Sequence, residues 1–444
     1  MTKIVFCYSS LDKENEGTEF LYGPLSLAYM ATHTPDHYEM SLYDEYVGEN
    51  LDPESIDADI VAISSLTSGI IRAYEIADKL KEMGITSVIG GAHATALPEE
   101  ALQHFDVVIK GEGEQPWKEF LKDYEKGEIK KIYYGPMNVS LKELGVPNRE
   151  FIHQNYHYQS VNTSRGCPFA CSFCYLTVFE ERAYRTIPHE TILEDLEALR
   201  DESLIVVTDE NFIGYSQKDY EDRKSLLRKI IDRDFNFVWG CQTTVKLAED
   251  PEMMDLMYKA GCRSVFIGFE SSNKEDLIKI GKKHNLETDY KKLIRKIHKH
   301  KITVIASCIL GLDHQGKDYH RTLIKDLKHI GADYVRVFLM TAWPGTPLYK
   351  ELKAQNRVID NWKQVRKDIP SVIYKHYSHE EIIEARKEVM DSFFNFGNII
   401  RVISRWVFTD LTLLSLFLKL TKRNRISEPI RKKRAHLYSE SKES

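Results

Sequence analysis

The sequence predicts an α/β protein with two successive parallel-sheet domains and a C-terminal helical segment. Short apolar runs alternate with amphipathic stretches along roughly the first 350 residues. The runs are apolar throughout, as in strands that are buried on both faces. The length of 444 residues also exceeds what a single core usually supports. We expect a domain at 1–125, a linker at 126–158, a second domain at 159–350 and a helical region with a basic tail at 351–444.

The composition excludes several classes of protein. With 42% hydrophobic and 29% charged residues, the chain is typical of a globular protein and not of a disordered or fibrous one. A formal net charge of -6 gives no general attraction to nucleic acid. The apolar run at the N-terminus is too short for a signal peptide. We therefore expect a cytoplasmic protein with reduced thiols.

The elements of the first domain alternate in the order that a doubly wound, Rossmann-like sheet requires. Apolar runs predict strands at 4–8, 60–64, 87–90 and 107–110. Helical periodicity predicts helices at 24–32, 70–83 and 117–124. Residues 125–158 are polar and show no sustained period, which is typical of a linker.

Turns that contain glycine or small polar residues follow three of the predicted strands. In an open parallel sheet, the crevice beyond the carboxyl ends of the strands is the ligand site, and glycine lets the backbone approach a ligand closely. Ordinary turn chemistry is the alternative explanation. The candidate cofactor-binding residues of this domain are Ser64, Thr67, Gly90, Gly91, Gly111 and Gly113.

Six strand and helix units make up the second domain. Strands are predicted at 160–163, 204–208, 235–239, 264–268, 302–310 and 334–339. Helical patterns lie between them at 191–199, 224–231 and 251–259. Six units in succession indicate a partial (β/α)6 barrel of the TIM type, whose active site would lie at the carboxyl ends of its strands.

The C-terminal region is predicted to be helical. Ser378 and Glu381 form a capping box ahead of a helix. Residues 399–420 are apolar but are interrupted by charged side chains such as Arg401, Arg405 and Asp410, so they fall short of a membrane-spanning helix. Residues 422–434 carry seven Lys or Arg. The segment is either a helical cap with a solvated basic tail or an interfacial helix in peripheral contact with anionic lipid.

Cys167, Cys171 and Cys174 carry the strongest chemical signal in the chain. They form a C-x3-C-x2-C pattern on the loop after the first strand of the second domain. Three thiolates can bind three irons of a cubane cluster and leave the fourth iron open. A structural zinc site would need a fourth ligand in register, but His189 lies 15 positions on, beside a proline. The remaining cysteines are expected to be small buried side chains: Cys7, Cys241, Cys262 and Cys308.

With Phe173 just before the last cysteine, this spacing resembles the signature of the radical SAM superfamily. The resemblance implies a 4Fe-4S cluster whose open iron chelates S-adenosylmethionine, and a cleavage that yields a 5′-deoxyadenosyl radical. It places Phe173 near the adenine. Glu210 would bind the methionine amino group, although its Asp-Glu-Asn-Phe run lacks the glycines that the family usually shows. Glu270, in a segment similar to the family's fourth strand, would face the cofactor, and Gln242 at the third strand end is a further candidate.

The first domain resembles the cobalamin-binding domain that precedes the barrel in one large radical SAM subfamily. The resemblance rests on residues 24–29, 90–95 and 111–114, and with the barrel it covers about residues 1–350. No Asp-x-His-x-x-Gly motif occurs, so the histidine that would replace the lower cobalt ligand is missing from the sequence. The implied cofactors are a 4Fe-4S cluster, S-adenosylmethionine and cobalamin. The alternative for this domain is a vestigial fold without cobalamin.

Together these resemblances imply a radical SAM enzyme that acts on an unactivated carbon of an apolar small molecule or lipid. Its electron donor would be a flavodoxin or a ferredoxin. Methyl transfer is the commonest role among similar two-domain proteins, and ring formation or rearrangement is the alternative. Methylthiolation of transfer RNA would need an extra cluster and a basic surface, which the cysteine count and net charge oppose. Outside enzymes, the alternative is a zinc-stapled binding module without catalysis.

Overall fold

The computed structural model describes residues 1–10, 22–136, 138–152, 156, 158–179, 183–359, 361–362 and 369–406. Within this described part, the strands form two six-stranded sheets and one two-stranded hairpin. All neighbouring strands in the two large sheets are parallel. The hairpin is antiparallel.

The first sheet is built from the N-terminal third of the chain. Its strands are β1 Lys3–Tyr8, β2 Glu39–Asp44, β3 Ile60–Ser64, β4 Thr86–Gly90, β5 Val107–Gly111 and β6 Ile132–Gly135. Its helices are α1 Leu25–Thr32, α2 Ile70–Met83, α3 Ala92–Ala96, α4 Pro98–Ala101 and α5 Glu114–Lys126. The strand order is β2-β1-β3-β4-β5-β6, so the chain winds outwards in both directions from β1 and β3.

Hydrophobic clusters cover both faces of this sheet. Along β1, Val5 and Cys7 belong to one buried cluster, and Ile4 and Phe6 belong to another. Because successive side chains of a strand point to opposite faces, the two clusters lie on opposite sides of the sheet. This arrangement explains why the strands are apolar throughout, and it confirms the predicted doubly wound fold.

The second sheet and the hairpin follow. The strands are β7 Gln159–Val161, β8 Ser164–Arg165, β9 Arg185–Thr186, β10 Leu204–Val207, β11 Val238–Thr243, β12 Cys262–Glu270, β13 Thr303–Leu310 and β14 Tyr334–Leu339. The helices are α6 His189–Glu197, α7 Gln217–Asp232, α8 Pro251–Lys259, α9 Lys274–Lys279, α10 Tyr290–Lys299, α11 Tyr319–Ile330, α12 Pro347–Ala354, α13 His379–Phe393 and α14 Phe396–Trp406. The large sheet runs β7-β10-β11-β12-β13-β14, which is the consecutive order of a partial six-stranded barrel.

Several strands depart from the sequence prediction, and the short hairpin strands β8 and β9 were not predicted at all. The strands β2 and β6 were not predicted, because their polar or half-exposed residues give no apolar run. β6 lies inside the segment predicted as a linker and pairs with β5, so the first sheet extends past residue 125. β11 begins at Val238 and not at 235, since its pairing with β10 starts there.

The two helices after the barrel are anchored to it by side chains. The predicted capping box of Ser378 and Glu381 is present at the start of α13. In α14, the Asn398 amide donates to the Asp333 carbonyl at 2.7 Å, and the Arg401 guanidinium donates to the Ala332 carbonyl at 2.7 Å. The predicted basic tail lies outside the described residues. No helix among the described residues is long and apolar enough to cross a membrane.

Candidate active site

The three predicted cluster cysteines lie on one tight loop between the hairpin strands β8 and β9. The Cys174 amide donates to the Cys171 carbonyl at 3.0 Å, which closes a turn around the last two thiols. Burial, together with the nearby Cys171 and Cys167 thiols, raises the pKa of Cys174 to about 12. A bound metal would have to displace the protons of these thiols, as metal binding to thiols does.

The donor set of the loop, three thiols, suits an iron-sulfur cluster that takes one thiolate per iron. In the described part of the chain, no three His, Cys, Asp or Glu side chains are arranged to hold a single metal ion. A cubane spreads its ligands over separate irons, so its thiolates need not meet at one point. The remaining four cysteines, Cys7, Cys241, Cys262 and Cys308, are buried as predicted.

Backbone contacts fix the cysteine loop to the barrel. The Ser172 amide donates to the Ile280 carbonyl at 3.0 Å, and the Ser172 carbonyl accepts from the Leu348 amide at 3.0 Å. Gly281 adopts a φ of +76°, and a Cβ there would lie 2.9 Å from the Ala170 carbonyl oxygen. Glycine is needed at this close approach. The loop is thus held by the C-terminal end of α9 and the first turn of α12.

Two adjacent carboxylates at the end of β10 hold the base of the same loop. Asp209 is fully buried and accepts from the Thr163 amide at 2.7 Å and the Ser164 hydroxyl at 2.6 Å. Glu210, a predicted cofactor residue, accepts from the Gly166 amide at 3.1 Å. Burial raises the pKa of both carboxyls. The structure therefore places Glu210 directly beside the cysteine loop.

Glu270 lies at the end of β12, where the strand leaves its regular register with β13. It adopts a φ of +65°, a conformation that non-glycine residues rarely adopt and that is often found at functional sites. Its side chain is buried and receives a hydrogen bond of 2.8 Å from the Lys282 ammonium. Burial lowers the pKa of Lys282, but Glu270 and then the cluster thiols outweigh it, so the net pKa is raised. A buried positive charge thus sits between Glu270 and the cysteines.

The other two predicted barrel residues flank this centre. Phe173 is half-buried and packs against the barrel core. Gln242 is exposed at the end of β11, and its carbonyl accepts from the Phe212 amide at 2.9 Å. Beside Gln242, the buried Asn211 Oδ1 and Thr243 Oγ1 have no hydrogen-bond partner among the described residues. Such unpaired buried acceptors suit a ligand that brings donors, as an ammonium or hydroxyl group would.

In the first sheet, four predicted residues lie on the adjacent turns that follow β3 and β4. The Ser65 amide, next to Ser64, donates to the Gly90 carbonyl at 3.3 Å, and a Cβ on Gly91 would lie 2.5 Å from the Ser65 carbonyl oxygen. The Thr67 hydroxyl lies 3.2 Å from His93 Nδ1. The β3 turn also borders the crevice between β1 and β3, where the winding reverses and where a sheet with this strand order usually binds its ligand.

His93 already uses both of its ring nitrogens within the crevice wall. Its Nε2 lies 3.2 Å from the Glu100 carboxylate, opposite the contact of Nδ1 with Thr67. A metal could bind either ring nitrogen only by breaking one of these two contacts. Leu66, at the mouth of the crevice, is 41% exposed and presents an apolar surface.

The two remaining predicted glycines lie on the neighbouring turn, where protein contacts account for them. Gly111 has a φ of +95°, and a Cβ there would lie 2.1 Å from the Gly135 carbonyl oxygen. Gly113 faces the Met30 sulfur, which would lie 3.1 Å from a Cβ at that position. The turn between them carries Glu112, whose carboxylate points to the barrel and not to the crevice.

The cysteine loop and the first domain are in direct contact. The short 3-10 turn Tyr175–Val178, just after the cysteines, contacts α3, and Gly345 packs against both: a Cβ there would lie 3.2 Å from Cβ of Ala96 in α3 and 3.1 Å from Cγ2 of Val178. The helix α3 follows β4, and the cysteine loop follows the first barrel strand. The carboxyl edges of the two sheets therefore face each other across the domain boundary.

Sequence reasoning missed three cations of this centre. Each of them pairs with a carboxylate elsewhere in the chain. The partner of Arg165 on β8 is 51 positions away, that of Arg185 on β9 is 73 positions away, and that of Lys282 is 12 positions away. A cation beside a glycine is the only local signal for Arg165 and Lys282, and it is a weak one. For Arg185 the sequence offers no signal.

These features define a two-domain α/β protein in which a three-cysteine loop at a barrel mouth faces the ligand crevice of a second parallel sheet. Family models match both parts: the Radical SAM superfamily matches residues 161–327, and the B12 binding domain matches residues 22–121. The chain belongs to the radical SAM superfamily, in the subfamily whose members carry a cobalamin-binding domain, and it is an enzyme. These two domain matches confirm the predicted cofactors, which are a 4Fe-4S cluster, S-adenosylmethionine and cobalamin.

Individual relatives agree with the family. A bacteriochlorophyllide d C-12(1)-methyltransferase of Chlorobaculum tepidum is 27% identical over 76% of this chain and 75% of its own length. An anaerobic magnesium-protoporphyrin IX monomethyl ester cyclase of Rubrivivax gelatinosus is 25% identical over 69% of this chain and 60% of its own length. The structure of TsrM from Kitasatospora setae, a radical S-adenosylmethionine methyltransferase with cobalamin and a [4Fe-4S] cluster bound, superposes with a TM-score of 0.62. It is 17% identical and covers 80% of this chain and 78% of its own, so it supports the fold.

Proposed function

We propose that this chain is a cobalamin-dependent methyltransferase that methylates an unactivated carbon of an apolar small molecule or lipid. The observation that carries the proposal is the contact of the 3-10 turn Tyr175–Val178, which directly follows the cysteines, with α3 beside the crevice of the first sheet. A substrate held at this boundary would be within reach of both cofactor sites.

The chain's own residues would position the cofactors and keep water out. Cys167, Cys171 and Cys174 would hold the cluster, and Glu210 and Glu270 would lie on its barrel side. When bound, the cluster and S-adenosylmethionine supply a substrate-activating radical, and cobalamin supplies a methyl group. An external donor of the flavodoxin or ferredoxin class would supply the electrons.

The methyltransferase relative supports methylation, and the cyclase relative supports a second candidate. Ring formation or rearrangement would use the same cluster loop and the same barrel. By their names, the two relatives act on bacteriochlorophyllide d and on magnesium-protoporphyrin IX monomethyl ester. The apolar Leu66 at the crevice mouth, 41% exposed, fits the apolar substrate that we propose.

The test is an isotope experiment with anaerobically reconstituted enzyme. S-adenosylmethionine with a deuterated methyl group would be supplied with a reductant and an organic-solvent extract of cells as the source of acceptors. Methylation predicts that the deuterated methyl group appears in one extracted compound. If a compound is consumed and no product carries the label, methylation is excluded and ring formation remains.

We also propose that α14 and the residues after it contact membrane lipid. Phe396 and Ile400 lie one turn apart on one face of α14 and are 76% and 49% exposed. The sequence that follows is apolar and then basic, which is the pattern of an interfacial helix near anionic lipid. Such contact would bring the enzyme to a lipid-soluble substrate.

A further inference from the structure

Two arginines and two glutamates join the base of the cysteine loop to the first domain. Arg165 on β8 and Arg185 on β9 are paired in the hairpin register. The Arg165 guanidinium donates to Glu114 at 2.6 Å, and the Arg185 guanidinium donates to Glu112 at 2.6 and 2.9 Å. Arg165 also lies 3.5 Å from Glu112. The four side chains form one charge-balanced network across the domain boundary.

This network is largely shielded from water. The exposed fractions of the four side chains lie between 9% and 16%. The Arg165 guanidinium also stacks over the Tyr29 ring of α1, with its carbon 5.2 Å from the ring centroid. Burial alone would raise the pKa of Glu114, but Arg165 outweighs it and the net pKa is lowered. Removing one partner of a buried ion pair lowers the stability of a protein much more than removing one partner of an exposed pair.

The network is placed where it controls the cysteine loop. Arg165 precedes Cys167 by two residues, and the residues on either side of Arg165 are fixed by the carboxylates that end β10. Ser164 donates to Asp209 and Gly166 donates to Glu210. Any shift of Arg165 therefore moves the first cluster ligand and the Glu210 contact together. On the other side, Glu112 and Glu114 flank Gly113 on the turn that follows β5.

We infer that Arg165, Arg185, Glu112 and Glu114 form an interdomain latch that sets the separation between the cysteine loop and the crevice of the first sheet. Arg165 is a positioning residue in this latch. The inference rests on the proposed function in one respect, because it requires that the protein binds both the cluster and cobalamin. It also reassigns the turn from Gly111 to Glu114, predicted as a cofactor loop, to the task of domain alignment.

The test compares Glu114→Gln with Glu119→Gln in the reconstituted holoenzyme. Both residues lie on α5, but Glu119 is 53% exposed and pairs with Lys130 at the surface. The magnetic interaction between cob(II)alamin and the reduced cluster, measured by electron paramagnetic resonance relaxation, reports their separation. We expect the wild-type relaxation enhancement in Glu119→Gln and its loss or broadening in Glu114→Gln at equal cofactor content. An unchanged enhancement in Glu114→Gln would overturn the inference.

Hydrogen exchange of the iron-loaded proteins provides a second readout that does not need cobalamin. Peptides covering residues 164–174 should exchange at least about tenfold faster in Glu114→Gln than in Glu119→Gln, while those of α7 stay unchanged. Equal exchange in the two variants would also refute the latch. If wild-type protein binds no cobalamin, the proposed function fails while this measurement still decides the latch. If Glu114→Gln does not fold, Arg165→Lys takes its place. The lysine keeps the positive charge but cannot reach both glutamates, so this variant should also lose the relaxation enhancement and exchange faster over residues 164–174.

Discussion

Each of the three cysteines on the loop after β8 would supply one of the few ligands that hold the cluster. We expect Cys174→Ala to lose the bound iron and the brown chromophore, and with them all cleavage of S-adenosylmethionine, because two thiolates are too few for a cubane that leaves one iron open. Iron analysis and the visible spectrum of anaerobically purified protein measure the first two effects. Chromatography of 5′-deoxyadenosine measures the third.

Cys241→Ala is the matched control, because Cys241 is a buried thiol of β11 outside the loop. This variant should keep its iron and its cleavage of S-adenosylmethionine. Retention of iron and activity by Cys174→Ala would disprove the cluster assignment. Colourless wild-type protein that holds zinc would instead favour the binding-module alternative.

Lys282 holds a largely buried positive charge whose pKa is raised by Glu270 and also by the cluster thiols Cys171 and Cys167. Removing this charge makes it harder to add an electron to an anionic cluster, so Lys282→Met should have a more negative reduction potential. At an effective dielectric constant of about 20, a unit charge about 4–6 Å away contributes roughly 3–4 kcal/mol. For one electron this corresponds to a shift on the order of 100 mV. A redox titration followed by electron paramagnetic resonance measures the shift.

The control for this prediction is Lys279→Met. Lys279 lies on α9 and pairs with Glu351 at 2.6 Å, but its side chain is 50% exposed. Water screens such a charge, so the potential should change little. Equal potentials in Lys282→Met and wild-type protein would show that the ammonium does not act on the cluster.

Among the elements, those with a strong period could be predicted most closely from the sequence. The bounds of α2, α8 and β14 agree with the predictions residue by residue, because each has a clear apolar period that ends at a glycine, a proline or a polar turn. β11 was predicted three residues early. Phe235 and Phe237 suggested a strand, but their rings stack on each other at 5.0 Å and pairing starts afterwards.

In the candidate site, too, the features set by neighbouring residues could be predicted from the sequence, and the contacts between distant residues could not. The cysteine spacing is local, so it could be read from the sequence. The contact between Arg165 and Glu114 spans 51 positions, and that between Lys282 and Glu270 spans 12. Such pairs depend on how loops meet after folding, and a single sequence carries no period that reveals them. The assignments of Phe173, Glu210, Gln242 and Glu270 to cofactor stay predictions.

Helix α14 gives the element-scale test of membrane contact. We expect Phe396→Ser with Ile400→Ser to weaken binding to phosphatidylserine-containing vesicles about tenfold or more, since burying one large apolar side chain contributes about 1.5–3 kcal/mol. Binding of wild-type protein should also fall with salt, because the screening length drops from about 10 Å at 0.1 M to about 3 Å at 1 M. Vesicle sedimentation measures both effects.

Two further variants sharpen this experiment. Ile383→Ser is the control, because Ile383 is an apolar residue of α13 that is 39% exposed. A truncation after Trp406 removes the basic run but keeps the contacts of Asn398 and Arg401 with the barrel. It should lose vesicle binding and keep its iron. If full-length protein does not sediment with anionic vesicles at low salt, the C-terminal helices serve only as a cap.

At the scale of the whole molecule, two parallel sheets meet at the edges where parallel sheets bind ligands. The crevice between β1 and β3 belongs to one sheet, and the cysteine loop belongs to the other. Either site alone occurs in many enzymes. Their direct contact through α3 is what favours a reaction in which both cofactors act on one substrate. This arrangement makes a prediction about stoichiometry.

Methylation by two cofactors should consume S-adenosylmethionine in two different ways in each turnover. One molecule gives up its methyl group and leaves S-adenosylhomocysteine, while a second is cleaved reductively, abstracts hydrogen from the substrate carbon and leaves 5′-deoxyadenosine. Chromatography of an anaerobic reaction supplied with cell extract should therefore show the two products in about equal amounts. Ring formation or rearrangement gives 5′-deoxyadenosine, or regenerates S-adenosylmethionine, without a matching amount of S-adenosylhomocysteine. Turnover that yields 5′-deoxyadenosine alone with cobalamin bound would eliminate methyl transfer, and the facing sites would then serve ring formation or rearrangement.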